Sequence, residues 1–211
     1  MGSKQIINSS QPSLFGSAGQ TAEPELDFSE SLDNIYNDLA SSQGRRLAGP
    51  HARFVFGEGN PNADLMFIGE GPGPDEEYTG RPFTGPAGQL LDRIIAAIGM
   101  KRADCYLTNV MKTRPPEDRP PKKEEIEAYK PFLFRQIAAV KPRVIVALGN
   151  LAAQTLLDTK ESITQLRGQF YDFRGIKVMP TFNPAYLLRV PEKKREVWED
   201  MKKVREELKG A

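Results

Sequence analysis

Residues Leu65-Met66-Phe67-Ile68-Gly69 run directly into Glu70-Gly71-Pro72-Gly73, and this stretch decides the fold. The apolar part has the length of a buried strand and lies between a turn at Asn60-Pro61-Asn62 and a Gly/Pro-rich loop over 70–86. A strand that is apolar on both faces has to be covered on both sides, which is typical of a parallel sheet between helices. The stretch therefore predicts an α/β fold.

The rest of the chain repeats this alternation. Three more strands are predicted, at Cys105–Val110, Arg143–Leu148 and Lys177–Phe182. Helices are predicted over 27–41, 88–98, 124–140, 149–157 and 192–209, and a β excursion over 163–175. Four short apolar strands separated by helices predict a parallel sheet with a helical layer on each face.

Composition sets the limits of the function. The chain has 211 residues, 39% hydrophobic and 27% charged, which suits one domain over 27–211 after a tail. Residues 1–26 are rich in Ser, Gln, Gly and Pro, and we predict that they are disordered. No apolar run reaches the ~20 residues of a membrane-spanning helix, so no membrane partner is expected. With one cysteine, Cys105, and one histidine, His51, metal sites and hydrolytic triads are poor candidates.

Charge is unevenly distributed along the chain. The formal net charge is +1, but residues 1–40 hold one base and six acids, whereas the remainder holds 28 bases and 22 acids. A basic body with an acidic N-terminal segment permits a phosphate-rich partner without requiring one.

Polar and aromatic residues follow the predicted strands. Because ligands of parallel sheets bind beyond the carboxyl ends of the strands, the loops there form the predicted site. They offer one carboxylate, one aromatic ring and two amides for a small planar ligand: Glu70, Phe83, Asn109 and Asn183. The loop 69–73 lacks the spacing of nucleotide-binding motifs, and its acid would repel a phosphate. Individually, the carboxylate could be an ordinary loop acid, the ring could pack in the core and the amides could begin turns.

Longer motifs carry a resemblance to a known family. These motifs are Val55–Pro61, Gly69-Glu70-x-Pro72-Gly73, Gly80–Phe83, Asn109-Val110-x-Lys112-x-Arg114-Pro115-Pro116, Arg167-Gly168 and Pro184–Arg189. With them, the span from about Phe54 to Leu208 resembles the uracil-DNA glycosylase superfamily, most closely the thermophile-type family 4. The resemblance implies a three-layer α/β/α sandwich around a four-stranded parallel sheet.

The resemblance also implies an activity. Members hydrolyse the N-glycosidic bond of uracil in DNA, as monofunctional enzymes of base excision repair that leave an abasic site. The base must leave the helical stack before its bond can be reached. By position, Glu70 would orient water and offset the cationic sugar, and backbone N–H groups of Gly69–Gly71 would contact the base. Phe83 would stack on uracil and Asn109 would read its edge.

Contacts to DNA follow from the same resemblance. The segment 184–189 is expected as a loop in the minor groove, with Leu187 or Leu188 filling the vacated stack and Arg189 on a phosphate. Candidate phosphate contacts that position the DNA without reading sequence are Lys112, Arg114 and Arg119.

Two departures from the family pattern are present. Family 4 members carry four cysteines that ligate an iron–sulfur cluster, but the corresponding positions here are Ser42, Arg45, Thr113 and Tyr129. Ligation needs thiolates, so we predict no cluster and no other metal or cofactor. The family usually has His where this chain has Asn183, and we expect the Asn183 amide to donate to uracil O2 instead.

Two alternative functions stay open at this point. A degenerate glycosylase could bind damaged DNA without cutting it, and a related enzyme could excise another deaminated base, such as hypoxanthine or xanthine. Gln11-Pro12-Ser13-Leu14-Phe15 resembles the peptide with which bacterial DNA-processing proteins dock on the sliding clamp. We further expect a cytoplasmic, nucleoid-associated monomer.

Overall fold

A single sheet organises the described part of the chain. The computed structural model describes residues 29–41 and 53–210. Within these residues the sheet has six strands in the order β1-β3-β2-β4-β6-β5. They are β1 (Glu58–Gly59), β2 (Leu65–Gly69), β3 (Tyr106–Asn109), β4 (Val144–Leu148), β5 (Tyr171–Phe173) and β6 (Ile176–Thr181).

The four central strands are parallel, and they are the four predicted ones. Register pairs Gly69 with Asn109, and Leu148 with Thr181, so the carboxyl ends lie along one edge. The four-strand prediction is nevertheless wrong in number, because β1 and β5 add antiparallel strands at the two margins. Strands of two and three residues are too short to show an alternating pattern in sequence.

Helices connect the strands. They are α1 (Leu32–Ala40), α2 (Pro74–Thr79), α3 (Pro86–Ala97), α4 (Lys123–Val140), α5 (Asn150–Leu157), α6 (Ile163–Leu166), α7 (Pro184–Arg189) and α8 (Lys194–Lys209). Short 3₁₀ turns lie at Arg102–Asp104, Pro116–Asp118 and Pro191–Lys193. Among the helices of the described residues, none is both long and apolar enough to span a bilayer.

The helices form the two outer layers of a sandwich. One group contains α3, α7 and α8, which pack together around Leu187 and Val197. The other contains α1, α4 and α5, joined by apolar contacts of Tyr129 with Leu39 and Leu151. Every residue of β2 and β4 is buried, as expected for strands covered on both faces. The predicted three-layer α/β/α architecture is therefore confirmed.

Three local predictions are wrong. The loop 70–86 contains α2, the β excursion over 163–175 begins with α6, and the loop 184–189 is the helix α7. All three helices have six residues or fewer, too short for a visible helical period in sequence. Each also has a capping signal, such as the Ser162–Gln165 capping box of α6 and the Asn183 cap of α7.

Strand order locates the functional edge. Strand β2 lies between β3 and β4, so the chain leaves it toward one side of the sheet and later returns on the other. At such a switch point the loops after neighbouring strands diverge to opposite faces and leave a crevice between them. The loops that begin at Glu70 and Gly149 flank this crevice.

Candidate active site

A cleft of about 540 Å³ opens at the carboxyl edge of the sheet. Its walls come from the loops after β2, β3 and β4 and from the junction of β6 with α7, together with the start of α6. Among the predicted site residues, the cleft brings together Glu70, Gly71, Arg114, Arg119, Asn183 and Arg189. Gly69, Phe83, Asn109 and Leu188 are not in its described walls.

Glu70 is the only carboxylate that the loop after β2 contributes to the described cleft wall. Its side chain is exposed, but it sits in a concave region close to surrounding protein. Desolvation there raises the pKa of the Glu70 carboxyl above its ordinary value. Its carbonyl oxygen accepts a hydrogen bond from the Met111 N–H at 2.9 Å, which fixes the loop after β2 to the loop after β3.

Phe83 and Asn109 meet over Gly69. A methyl group at residue 69 would collide with Asn109 Oδ1 and would lie 2.7 Å from Phe83 Cζ. Both side chains are buried, and no hydrogen bond joins the Asn109 amide to another described side chain or backbone group. A ring and an unpaired amide thus pack directly on Gly69, immediately before Glu70.

Asn183 begins helix α7 and borders the cleft from the opposite side. Its Oδ1 accepts a hydrogen bond from the Ala185 N–H at 2.9 Å, the usual contact of a helix N-cap. Its Nδ2 donates to the Leu148 carbonyl oxygen at 3.3 Å. An amide nitrogen carries two hydrogens, so this geometry leaves one N–H of Asn183 available to a ligand.

The cationic residues of the cleft differ in their partners. Arg114 pairs with Glu77 at 2.9 Å and with Asp118 at 2.6 Å, and these contacts raise the pKa of its guanidinium. Arg119 pairs with Glu125 at 2.7 Å. Arg189 is exposed and forms no ion pair within residues 29–41 and 53–210.

Two predicted DNA contacts are wrong. Lys112 is completely buried, and its Nζ donates to Thr108 Oγ1 at 2.8 Å, to the Asn109 carbonyl oxygen at 2.6 Å and to Gln136 Oε1 at 2.5 Å. Burial among these neutral acceptors lowers the pKa of Lys112 well below its ordinary value. Leu187 is also completely buried, whereas Leu188 is 44% exposed. Lys112 therefore holds the backbone of Asn109. Of the two leucines, only Leu188 is exposed enough to contact DNA.

The cleft also contains residues that were not predicted as site residues. The rings of Phe182 and Tyr186 lie 5.2 Å apart and both line it, as do Met111 and Thr164. Tyr186 belongs to the quoted motif 184–189, and the two rings are four residues apart across the α7 cap. That spacing in sequence is the signal that could have identified the pair.

The cluster of family 4 does not fit the described residues at its expected positions. The Thr113 and Tyr129 hydroxyl oxygens lie 2.9 Å apart and share a hydrogen bond, whereas Ser42 and Arg45 lie outside the described residues. The single cysteine, Cys105, is buried. Its burial, and to a smaller extent the negative charge of Asp104, raises the pKa of its thiol to about 12. No group of three or more potential ligands among His, Cys, Asp and Glu is present in the described ranges.

A cleft at the switch point of a parallel sheet covered by helices places this chain in the class of doubly wound α/β proteins, whose ligands bind beyond the carboxyl ends of the strands. Residues 56–202 match the family described as the uracil DNA glycosylase superfamily. Because this match covers more than half of the chain, the protein belongs to that superfamily, and the resemblance seen in sequence is confirmed.

Curated relatives make the assignment more specific. The chain is 47% identical over 159 residues to a type-4 uracil-DNA glycosylase of Thermotoga maritima, covering 74% of this chain and 83% of the relative. It is 39% identical over 185 residues to the type-4 enzyme of Archaeoglobus fulgidus, with 84% and 93% covered. It is 40% identical over 188 residues to that of Saccharolobus solfataricus, with 85% and 87% covered.

Proposed function

We propose that this protein hydrolyses the N-glycosidic bond of deoxyuridine in DNA, releases uracil and leaves an abasic site. The observation that carries the proposal is the packing of the Phe83 ring and the unpaired Asn109 amide on Gly69, the residue before Glu70 in the cleft. An aromatic ring can stack on a planar base, an amide can pair with its edge, and a carboxylate can serve the bond to be cleaved. The type-4 relatives support the same activity.

Base recognition depends on Phe83 and Asn109. The ring stacks on an extruded uracil, and the Asn109 amide donates to O4 and accepts from N3–H. Cytosine presents an amino group and an unprotonated nitrogen at the same edge. It would leave both amide groups of Asn109 mismatched in a buried site, which is how polar pockets reject near-isosteres.

Bond cleavage depends on Glu70 and Asn183. Departure of the base leaves positive charge on the sugar and negative charge on uracil. The Glu70 carboxylate stabilises the first and orients and deprotonates the attacking water, and its raised pKa makes it a stronger base. The free Nδ2 hydrogen of Asn183 donates to uracil O2 as negative charge develops there.

Contacts to DNA use the exposed end of helix α7. Leu188 enters the position of the extruded base, and Arg189, which is unpaired among the described residues, binds a phosphate. Arg114 and Arg119 can serve as phosphate contacts by exchanging Asp118 and Glu125 for the DNA backbone. The slope of DNA affinity against salt concentration should report how many phosphates these side chains contact.

The test is single-turnover release of free base from oligonucleotides that contain uracil, hypoxanthine, xanthine or a T·G mismatch. We expect release of uracil, a loss of about 10²-fold in Glu70→Gln and a smaller loss in Phe83→Leu. Glu127→Gln, on the exposed side of α4, is the matched control and keeps the wild-type rate. Binding of uracil-containing DNA without release at any enzyme excess would identify a non-cutting module, and release of hypoxanthine or xanthine alone would identify the other alternative.

We further propose that the enzyme works without an iron–sulfur cluster. The Thr113–Tyr129 hydrogen bond and the buried Cys105 thiol support this, because neither provides a thiolate. Iron and acid-labile sulfide, measured on protein purified without oxygen, should be far below one cluster per chain. A stoichiometric cluster would contradict the proposal.

We propose docking on the sliding clamp through Gln11–Phe15, which lie outside the described residues. Deleting these five residues should abolish clamp binding and leave excision from short oligonucleotides intact. Unchanged clamp affinity would contradict it. We propose that the protein is a monomer located at the nucleoid. Sedimentation of the purified chain by analytical ultracentrifugation tests whether it is a monomer.

A further inference from the structure

The backbone of Phe83 adopts a conformation that phenylalanine rarely takes. Its φ is +53°, in the left-handed region where Cβ crowds the neighbouring carbonyl. Helix α3 lies directly against it, because a methyl group at Gly88 would collide with the Phe83 carbonyl oxygen and lie 2.8 Å from its Cα. A strained residue of this kind persists only where its neighbours hold it.

The guanidinium of Arg102 provides that hold. Its Nη1 donates to the Phe83 carbonyl oxygen at 3.2 Å, and its Nη2 donates to the Pro82 carbonyl oxygen at 2.6 Å. The other contacts are to carboxylates: Nε and Nη2 to Glu58 Oε1 at 3.2 and 2.8 Å, and Nη1 to Asp92 Oδ1 at 2.9 Å. The planar fork of arginine matches all five contacts, which the single ammonium of lysine cannot.

Glu58 ties this clamp to the sheet. It lies in the edge strand β1, and its other oxygen accepts a hydrogen bond from Arg81 Nε at 2.7 Å. Residues 81 to 83 are therefore fastened from two directions. Burial acts to raise the pKa of the Glu58 carboxyl, but the two arginines lower it below its ordinary value, so Glu58 stays charged at neutral pH.

We propose that Arg102 is a positioning residue that fixes the ring of Phe83 at the angle required to stack on the extruded base. Among the described residues, Arg102 lies outside the cleft walls and is linked to the site through the backbone of Pro82 and Phe83. The inference rests on the proposed function for its catalytic consequence. The clamp itself rests on contacts that do not depend on that function.

The test compares Arg102→Ala and Arg102→Lys with a matched control. Arg143 also donates to two backbone carbonyl oxygens, of Leu208 and Glu207, but it precedes β4 at the opposite edge of the sheet. We expect Arg102→Ala to slow single-turnover uracil excision about 10-fold, since small misplacement of a positioned group is costly. Arg102→Lys should recover part of the rate, and Arg143→Ala should keep the wild-type rate.

Two further readouts separate positioning from general stability. The Kd for an oligonucleotide with uncleavable 2′-fluoro-2′-deoxyuridine should change less than threefold in Arg102→Ala. In a Phe83→Leu background the same substitution should slow excision less than twofold, because no ring remains to be positioned. Equal slowing in both backgrounds, or an Arg102→Ala rate equal to that of Arg143→Ala, would overturn the proposal.

A spectroscopic arm does not depend on activity. Protein labelled with fluorophenylalanine gives a ¹⁹F signal for Phe83, assigned by its loss in Phe83→Leu. We expect Arg102→Ala to shift or broaden this signal, and Arg143→Ala to leave it in place. If the wild-type protein released no uracil, the proposed function would fail, but the ¹⁹F measurement would still test whether Arg102 holds Phe83. An unchanged ¹⁹F signal in Arg102→Ala would overturn that role of Arg102.

Discussion

The hydroxyl groups of Thr113 and Tyr129 share a buried hydrogen bond of 2.9 Å that joins the loop after β3 to helix α4. These are two of the positions at which the resemblance places cysteines. Burial raises the pKa of Tyr129, so its hydroxyl is neutral and able to donate. Apolar contacts of Tyr129 with Leu39 and Met111 surround the pair. A hydrogen bond within a small apolar cluster thus braces the segment that carries Arg114 and Arg119.

Removing both hydroxyls of this pair should cost less than the sum of removing each one alone. Thr113→Val or Tyr129→Phe leaves a buried polar group without a partner, which costs about 1–3 kcal/mol. The double variant leaves none, so its loss should be smaller than the sum of the two. Urea unfolding of the four proteins measures the coupling. Strict additivity would mean that the hydrogen bond does not brace this segment.

The Glu70 carboxylate should give excision an acid limb. Desolvation favours the neutral acid and raises the pKa of Glu70, so the active carboxylate is lost as pH falls through a value above the ordinary 4.5 of glutamate. Single-turnover rates plotted against pH should therefore decline on the acid side with this midpoint. Glu70→Gln should be slow and should lack the limb. An identical limb in Glu70→Gln would assign the titration to another group.

Gly69→Ala should displace Phe83 or Asn109 without unfolding the protein. The added methyl group collides with Asn109 Oδ1 and lies 2.7 Å from Phe83 Cζ, so the ring or the amide must move. We expect at least a 10-fold loss of excision rate, by the cost of misplacing a positioned group. Gly210→Ala is the control, because the nearest atom to its methyl group would be 3.6 Å away. An unaffected rate in Gly69→Ala would mean that the packing of Phe83 and Asn109 on Gly69 does not contribute to excision.

Asn183→Asp should separate the two roles of this side chain. Aspartate keeps the oxygen that caps α7 but loses both Nδ2 hydrogens, the one donated to Leu148 and the one that we propose donates to the departing base. Excision should fall by about 10²-fold or more, the usual effect of losing one such donor. Asn183→Ala should in addition lose about 1 kcal/mol of unfolding free energy with the cap, measured in urea. Full activity in Asn183→Asp would remove Asn183 from the mechanism.

Asn183→His tests whether the family's usual residue is the better donor. A faster enzyme would mean that the amide limits the rate. A slower one would mean that the α7 cap and the contact with Leu148 have adapted the site to asparagine. The unfolding midpoint, measured on the same preparation, distinguishes loss of the cap from loss of the donor.

Local patterns determined much of this protein. Continuous apolar runs at 65–69 and 144–148 predict buried strands, and the helices between them predict a parallel sheet, so the edge at which a site is expected follows from sequence alone. The same reasoning predicts Glu70, Phe83 and Asn109 as site residues. Neighbouring strands that end together bring Asn109 to Gly69, whereas the place of Phe83 also depends on its contacts with α3 and Arg102.

Tertiary structure decided what depends on burial and on contacts distant in sequence. Lys112 has the sequence environment of a phosphate contact, and only the packing of Gln136 and Thr108 around it makes it internal. Leu187 and Leu188 are alike in sequence, but successive residues of a helix point about 100° apart, so α7 buries the first and exposes the second. Arg102 contacts residues 19, 20 and 44 positions away. No local pattern encodes such contacts, because they exist only once the sheet has brought the segments together.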